Sequence, residues 1–119
     1  MSDDYFLWRT NRVVEASEID ESTVETWTDI DAARKCLSSL WPSLVWKPDG
    51  STADDCSGTT AVRSVRLPTD GKPHDPLVVR TSHIASAQQD LVRLGELLGC
   101  LVLDAQTGQI LWQPRSGPS

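Results

Sequence analysis

A chain of 119 residues with 39% apolar and 24% charged residues is expected to form one soluble globular domain around one core. Its net charge of −6 is uneven: residues 1–60 hold twelve acids against five bases, a balance of −7, and the remainder holds five acids against six bases, a balance of +1. An acidic half repels nucleic acid and anionic membranes, no apolar run approaches the roughly 20 residues of a membrane span, and a basic partner is favoured instead.

The start, Met1-Ser2-Asp3-Asp4, has neither the basic nor the apolar region of a secretory signal, so a cytoplasmic protein is expected. Three cysteines at wide spacing, Cys36, Cys56 and Cys100, suit reduced thiols rather than a disulfide framework. Tyr5-Phe6-Leu7-Trp8 predicts a first strand, with Arg12-Val13-Val14 extending it or forming a second. Glu15 to Glu25 is acidic, with only Ala16, Ile19 and Val24 to bury, and reads as an exposed loop or edge segment ending at the anchor Trp27.

Thr28 is the expected N-cap of a first helix, with Asp29 and Asp31 at the positive end of its dipole. Ile30, Ala33, Leu37, Leu40 and Trp41 form its apolar stripe, and Pro42 ends it. Leu44-Val45-Trp46 predicts a strand and Pro48-Asp49-Gly50 a turn. Ser51 to Gly58 is polar enough to be either an edge strand or a loop. Thr60 to Leu67 and Leu77 to Thr81 are strands, separated by an exposed loop with three prolines.

Ser86 and Gln89 match a capping box for a second helix. Ala87, Leu91, Leu94 and Leu98 form its stripe, which Val92 and Leu97 widen. Gly95 allows a close approach, and Gly99 stops the helix. Cys100 to Leu103 is apolar throughout, as a strand covered on both faces would be. A hairpin loop with Gly108 leads to a last strand, Gln109 to Trp112, and residues 114–119 read as a flexible tail. The order β-α-β-β-β-α-β-β gives one α+β domain, two helices on one mostly antiparallel sheet, with a ferredoxin-like arrangement as one candidate topology.

Catalytic patterns are missing. There is no C-x-x-C, no H-x-x-x-H, no calcium loop, no G-x-S-x-G and no phosphate loop. His74 beside Asp75 and His83 beside Ser82 are the only histidines, and strand neighbours such as Ser82 and His83 point to opposite faces. No metal, no cofactor and no enzymatic activity is therefore expected. Recognition of another protein fits better. Glu15, Glu18, Asp20, Glu21 and Glu25 place five carboxylates within eleven residues, and Asp54 and Asp55 add two more. Charge of this kind selects a basic partner and speeds its association. Trp27, Trp41 and Trp46 then either anchor an interface or close the core, and Trp27 and Trp46 are taken with the acids as the partner-binding set.

The C-terminal run Leu91-Val92-Arg93-Leu94-Gly95-Glu96-Leu97-Leu98-Gly99-Cys100-Leu101-Val102-Leu103-Asp104-Ala105-Gln106-Thr107-Gly108 resembles the ends of small bacterial immunity proteins. Those are encoded beside secreted toxins of polymorphic, contact-dependent or type VI systems. The resemblance implies a cytosolic, non-enzymatic protein that binds and blocks one cognate toxin. It implies no functional residue, because this part is scaffold in that family. The second reading is a small ligand-sensing or regulatory domain with a pocket between helix and sheet, with His83 among its polar groups.

Overall fold

The computed structural model describes residues 2–10, 13–20, 22–25, 27, 29–57, 60–68, 76–82 and 87–114. Strand β1 (Ser2–Thr10) is followed by a 3-10 turn (Ala16–Glu18) and the short β2 (Val24–Glu25). Helix α1 (Ile30–Leu40) leads into β3 (Val45–Trp46), β4 (Thr52–Ser57), β5 (Thr60–Arg66) and β6 (Leu77–Ser82). Helix α2 (Ala87–Leu98) precedes β7 (Leu101–Asp104) and β8 (Gln109–Trp112).

The strands form one eight-stranded sheet in the order β3-β4-β5-β6-β1-β7-β8, with β2 pairing β1. Every pairing among the described residues is antiparallel. The α+β class and the two helices on the sheet are as the sequence predicts, but the topology is not ferredoxin-like. β3 to β6 run as an up-and-down meander, whereas a ferredoxin-like order is built from split βαβ units. No helix among the described residues is long and apolar enough to cross a membrane.

Alternation along the strands separates the faces. Tyr5, Leu7, Ala53, Val65, Leu77 and Val79 turn inward and bury against Ala33 and Leu37 of α1 and Leu91 and Leu94 of α2. This explains β4, the stretch that read as either edge strand or loop. It lies inside the sheet between β3 and β5, because Ala53 is the small residue that fits beneath α1 while its polar neighbours face outward or pair.

Two local details differ from expectation, and a third falls outside the described residues. The N-cap of α1 is Asp29, whose carboxylate accepts the Ala32 N–H at 2.9 Å; Thr28 lies outside the described residues. The capping box of α2 cannot be placed, since Ser86 lies outside them as well. Leu97 does not widen the α2 stripe inward, for it is 55% exposed. Gly99 does stop the helix, at φ 66°, and the Cys100 N–H donates to the Gly95 carbonyl at 3.0 Å.

Cys100 is fully buried, its Sγ donating to the Leu98 carbonyl, and burial pushes its thiol up from 9.0 to about 12. Tyr5 is pushed above its ordinary 10.0, first by burial and then by the carboxylates of Asp104 and Asp3. Both groups are acids favoured neutral in the folded chain. Their stabilising contribution is therefore complete below each unfolded pKa and is lost as pH rises through the folded one, which for the Cys100 thiol runs from 9.0 to about 12. The melting temperature should fall progressively above pH 9, and a flat profile through pH 11 would contradict the burial of these groups.

Candidate functional site

The acidic segment is held by hydrogen bonds to its backbone groups. The Val14 N–H donates to Gln113 Oε1 at 3.0 Å, and Gln113 Nε2 donates back to the Val14 carbonyl at 2.8 Å. The Asp20 carbonyl accepts the N–H groups of Thr23 and Val24, while Thr23 Oγ1 donates to the Glu18 carbonyl at 2.7 Å and accepts the Asp20 N–H. Val14, Thr23 and Val24 are buried anchors, and this leaves Glu15, Asp20 and Glu25 exposed on a ridge. Some of the acid is used internally: Glu18 Oε1 accepts the Glu15 N–H, and Asp20 Oδ1 accepts the Ser22 N–H and hydroxyl. Glu21 lies outside the described residues.

Of the other expected partner-binding residues, Trp46, Asp54 and Asp55 lie on β3 and β4, separated from β1 and its partner β2 by β5 and β6. Asp54 and Asp55 are consecutive on β4 and so face opposite sides of the sheet. Asp54, on the face away from the helices, accepts the Ser64 hydroxyl at 2.8 Å and pairs with Lys47 Nζ at 3.5 Å. Asp55, on the helix face, pairs with Arg63 at 3.2 Å. Trp46 donates its Nε1–H to Ser38 Oγ of α1 at 2.9 Å, lies under the Arg34 guanidinium and packs on the core. Trp27 also packs on the core, lining a cavity of about 220 Å³ with Arg9, Asp29 and Leu98. Trp41 is buried.

Two constellations escaped the sequence. On the helix face, Asp55, Arg63, Thr81 and Asp3 form one transverse row across β4, β5, β6 and β1. Arg63 reaches up from this row to Asp90 in the first turn of α2, at 3.7 Å, and its guanidinium stacks 4.2 Å from the Trp41 ring. This ties the sheet to α2 and to the residue that caps α1 through one cation. On the open face, the Arg80 Nε–H donates to Asp4 at 2.7 Å, and Lys47, Arg66 and Arg80 border a groove of about 340 Å³. Phe6 and Trp8 pack edge to face beside it, centroids 5.5 Å apart. The period-two alternation of Arg63-Ser64-Val65-Arg66 contained this signal. Counting charge by chain halves averaged it away, because sequence neighbours end on different faces.

Among the described residues, no three or more His, Cys, Asp and Glu side chains converge as metal ligands. His74 and His83 lie outside those residues. The chain matches no family model, no curated protein and no solved structure. Leu7, Leu37, Leu77, Leu91 and Leu94 are fully buried between the helices and the sheet, and the cavities of that layer lie at its margins, one beside Trp27 and one between α2 and Leu111. The described surface carries a clamped acidic ridge beside the C-terminal end of β1, and an open face of mixed charge with an aromatic pair.

Proposed function

We propose that the chain is a non-catalytic binding protein, an immunity protein that acts in the cytoplasm and occludes a basic surface of its cognate antibacterial toxin. The observation that carries this reading is the clamped acidic ridge. Glu15, Asp20 and Glu25 are presented on a backbone that Gln113 and Thr23 already hold in place, so little ordering entropy is lost when a partner arrives. Toxins that act on nucleic acids or nucleotides carry basic active sites, and complementary charge both steers their capture and selects against other partners. Trp27 and Trp46 act here from beneath, as props of the fold rather than anchors in the partner. The resemblance of Leu91 to Gly108 to immunity proteins supplies the class of partner, and the ridge supplies the chemistry.

Co-expression with the product of the neighbouring gene tests the reading. A stable complex is expected, one that weakens with salt. Charge reversal at the exposed positions, Glu15→Lys with Asp20→Lys and Glu25→Lys, should lower its affinity by about tenfold or more while leaving the melting temperature within a few degrees. A complex indifferent to both salt and reversal would sink the acidic-ridge reading, and no complex at all would sink the immunity reading.

A further inference from the structure

The two ends of the sheet are built differently. At one end β3 has only two residues, Val45–Trp46, set between Pro42 and Pro48 and followed by the exposed Lys47. Shortness, prolines and a lysine keep a further strand from adding there. At the other end β8 has four residues, Gln109–Trp112, with no charge and no proline. Ile110, Leu111 and Trp112 are only half-buried, and no described strand pairs with the outer edge of β8.

Both faces of the sheet carry complementary surface to that edge. On the open face, Val78, Phe6, Leu103 and Ile110 lie in one transverse apolar row that runs across β6, β1 and β7 and stops at β8. On the helix face, Gln89, Val92, Arg93 and Glu96 recur at helical spacing along one side of α2. With Leu111 they line a cavity of about 510 Å³ beside β8. Arg93 and Glu96 are exposed and form no ion pair among the described residues.

We propose that β8 is the seam of a two-fold homodimer, in which it pairs antiparallel with β8 of a second copy. An antiparallel edge is complementary to itself in its N–H and C=O groups, and a two-fold axis normal to the sheet sets the same patch against itself. The two α2 helices then lie side by side and antiparallel over the seam. That approach brings Arg93 toward Glu96 of the second copy, and Glu96 toward its Arg93. The pairing of one cation with one anion on the same stripe is what selects a second copy over a foreign strand. The apolar row of the open face continues across the junction. The proposal is independent of the acidic ridge and of whatever partner the ridge binds.

Sedimentation equilibrium of the full chain tests it. A species of twice 13.1 kDa is expected at micromolar concentration. Arg93→Glu and Glu96→Arg, each on the exposed side of α2, should each weaken association by about tenfold, since two symmetry-related pairs change together. The double swap should restore it to within about threefold of the parent. A chain that stays monomeric to millimolar concentration overturns the proposal, as does a dimer indifferent to the single reversals or one that the double swap fails to restore.

Discussion

Replacing Arg63 with leucine should cost about 3 kcal/mol of folding stability, a fall in melting temperature on the order of 10 °C for a domain of this size. The Arg63 side chain is only 10% exposed, it pairs with Asp55 at 3.2 Å and with Asp90 at 3.7 Å, and it covers the Trp41 ring. Removing the cation leaves Asp55, itself 15% exposed, as an unpaired carboxylate at the edge of the core. Asp90 is a third exposed, and water screens its share, so Asp55 dominates the loss. The cost belongs to breaking the network and does not measure its net worth. Arg63 Nε has no hydrogen-bond partner among the described residues, and desolvating three charges is expensive.

The double variant Arg63→Leu with Asp55→Leu should therefore recover much of the loss. Chemical denaturation of the four proteins in that cycle gives the coupling directly. A single-variant loss under about 1 kcal/mol would show that the network is solvated and peripheral. The same variants bear on function. Asp55 stands among the acids first assigned to a partner surface, but its face lies beneath the helices, so Asp55→Asn should alter stability without altering partner affinity.

Gly95→Ala should destabilise the chain by about 1–2 kcal/mol, although alanine is the better helix former by about 1 kcal/mol. The reason is steric. A Cβ at residue 95 would stand 2.6 Å from Val102 Cγ2, 3.0 Å from the Cys100 carbonyl and 3.1 Å from Trp112 Cε3. None of these can retreat easily. Val102 is fully buried and stiff at χ1, and the Cys100 backbone is tied to the Gly95 carbonyl by the hydrogen bond that closes the helix. Restoring a clear Cβ distance requires α2 to lift off β7 and β8, exposing Leu91 and Leu94. Urea denaturation with matched m-values measures the change, and a gain in stability would mean that α2 stands further from the sheet than this packing requires.

The elements that local chemistry specifies were legible. The stripe of α1 at Ala33, Leu37 and Trp41 buries as its spacing requires. Gly99 and Gly108 take positive φ where a helix must stop and a hairpin must turn, and Gly95 sits at the close approach its place on an apolar stripe implied. β4 was less legible because Thr52-Ala53-Asp54-Asp55 lacks the apolar alternation of a strand. Its inward positions hold one alanine and one paired aspartate, and only the neighbouring strands and Arg63 make those acceptable.

The candidate surfaces divide in the same way. That Glu15 to Glu25 is acidic and poorly able to bury is a property of composition, and it holds in any fold. That Glu15, Asp20 and Glu25 form a held ridge depends on Gln113, ninety-nine residues beyond Val14, and no local pattern announces that contact. By itself the sequence determined the helices, most of the strands, the turns and the sign of the exposed N-terminal segment, because each follows from interactions within a few residues. Only the tertiary structure decided which carboxylates share a face, that the half-buried Asp55 pairs with the buried Arg63, and that β3 and β8 are the two edges of the sheet. Those outcomes depend on strand order and register, where a shift of one residue sends a side chain to the opposite side of the sheet.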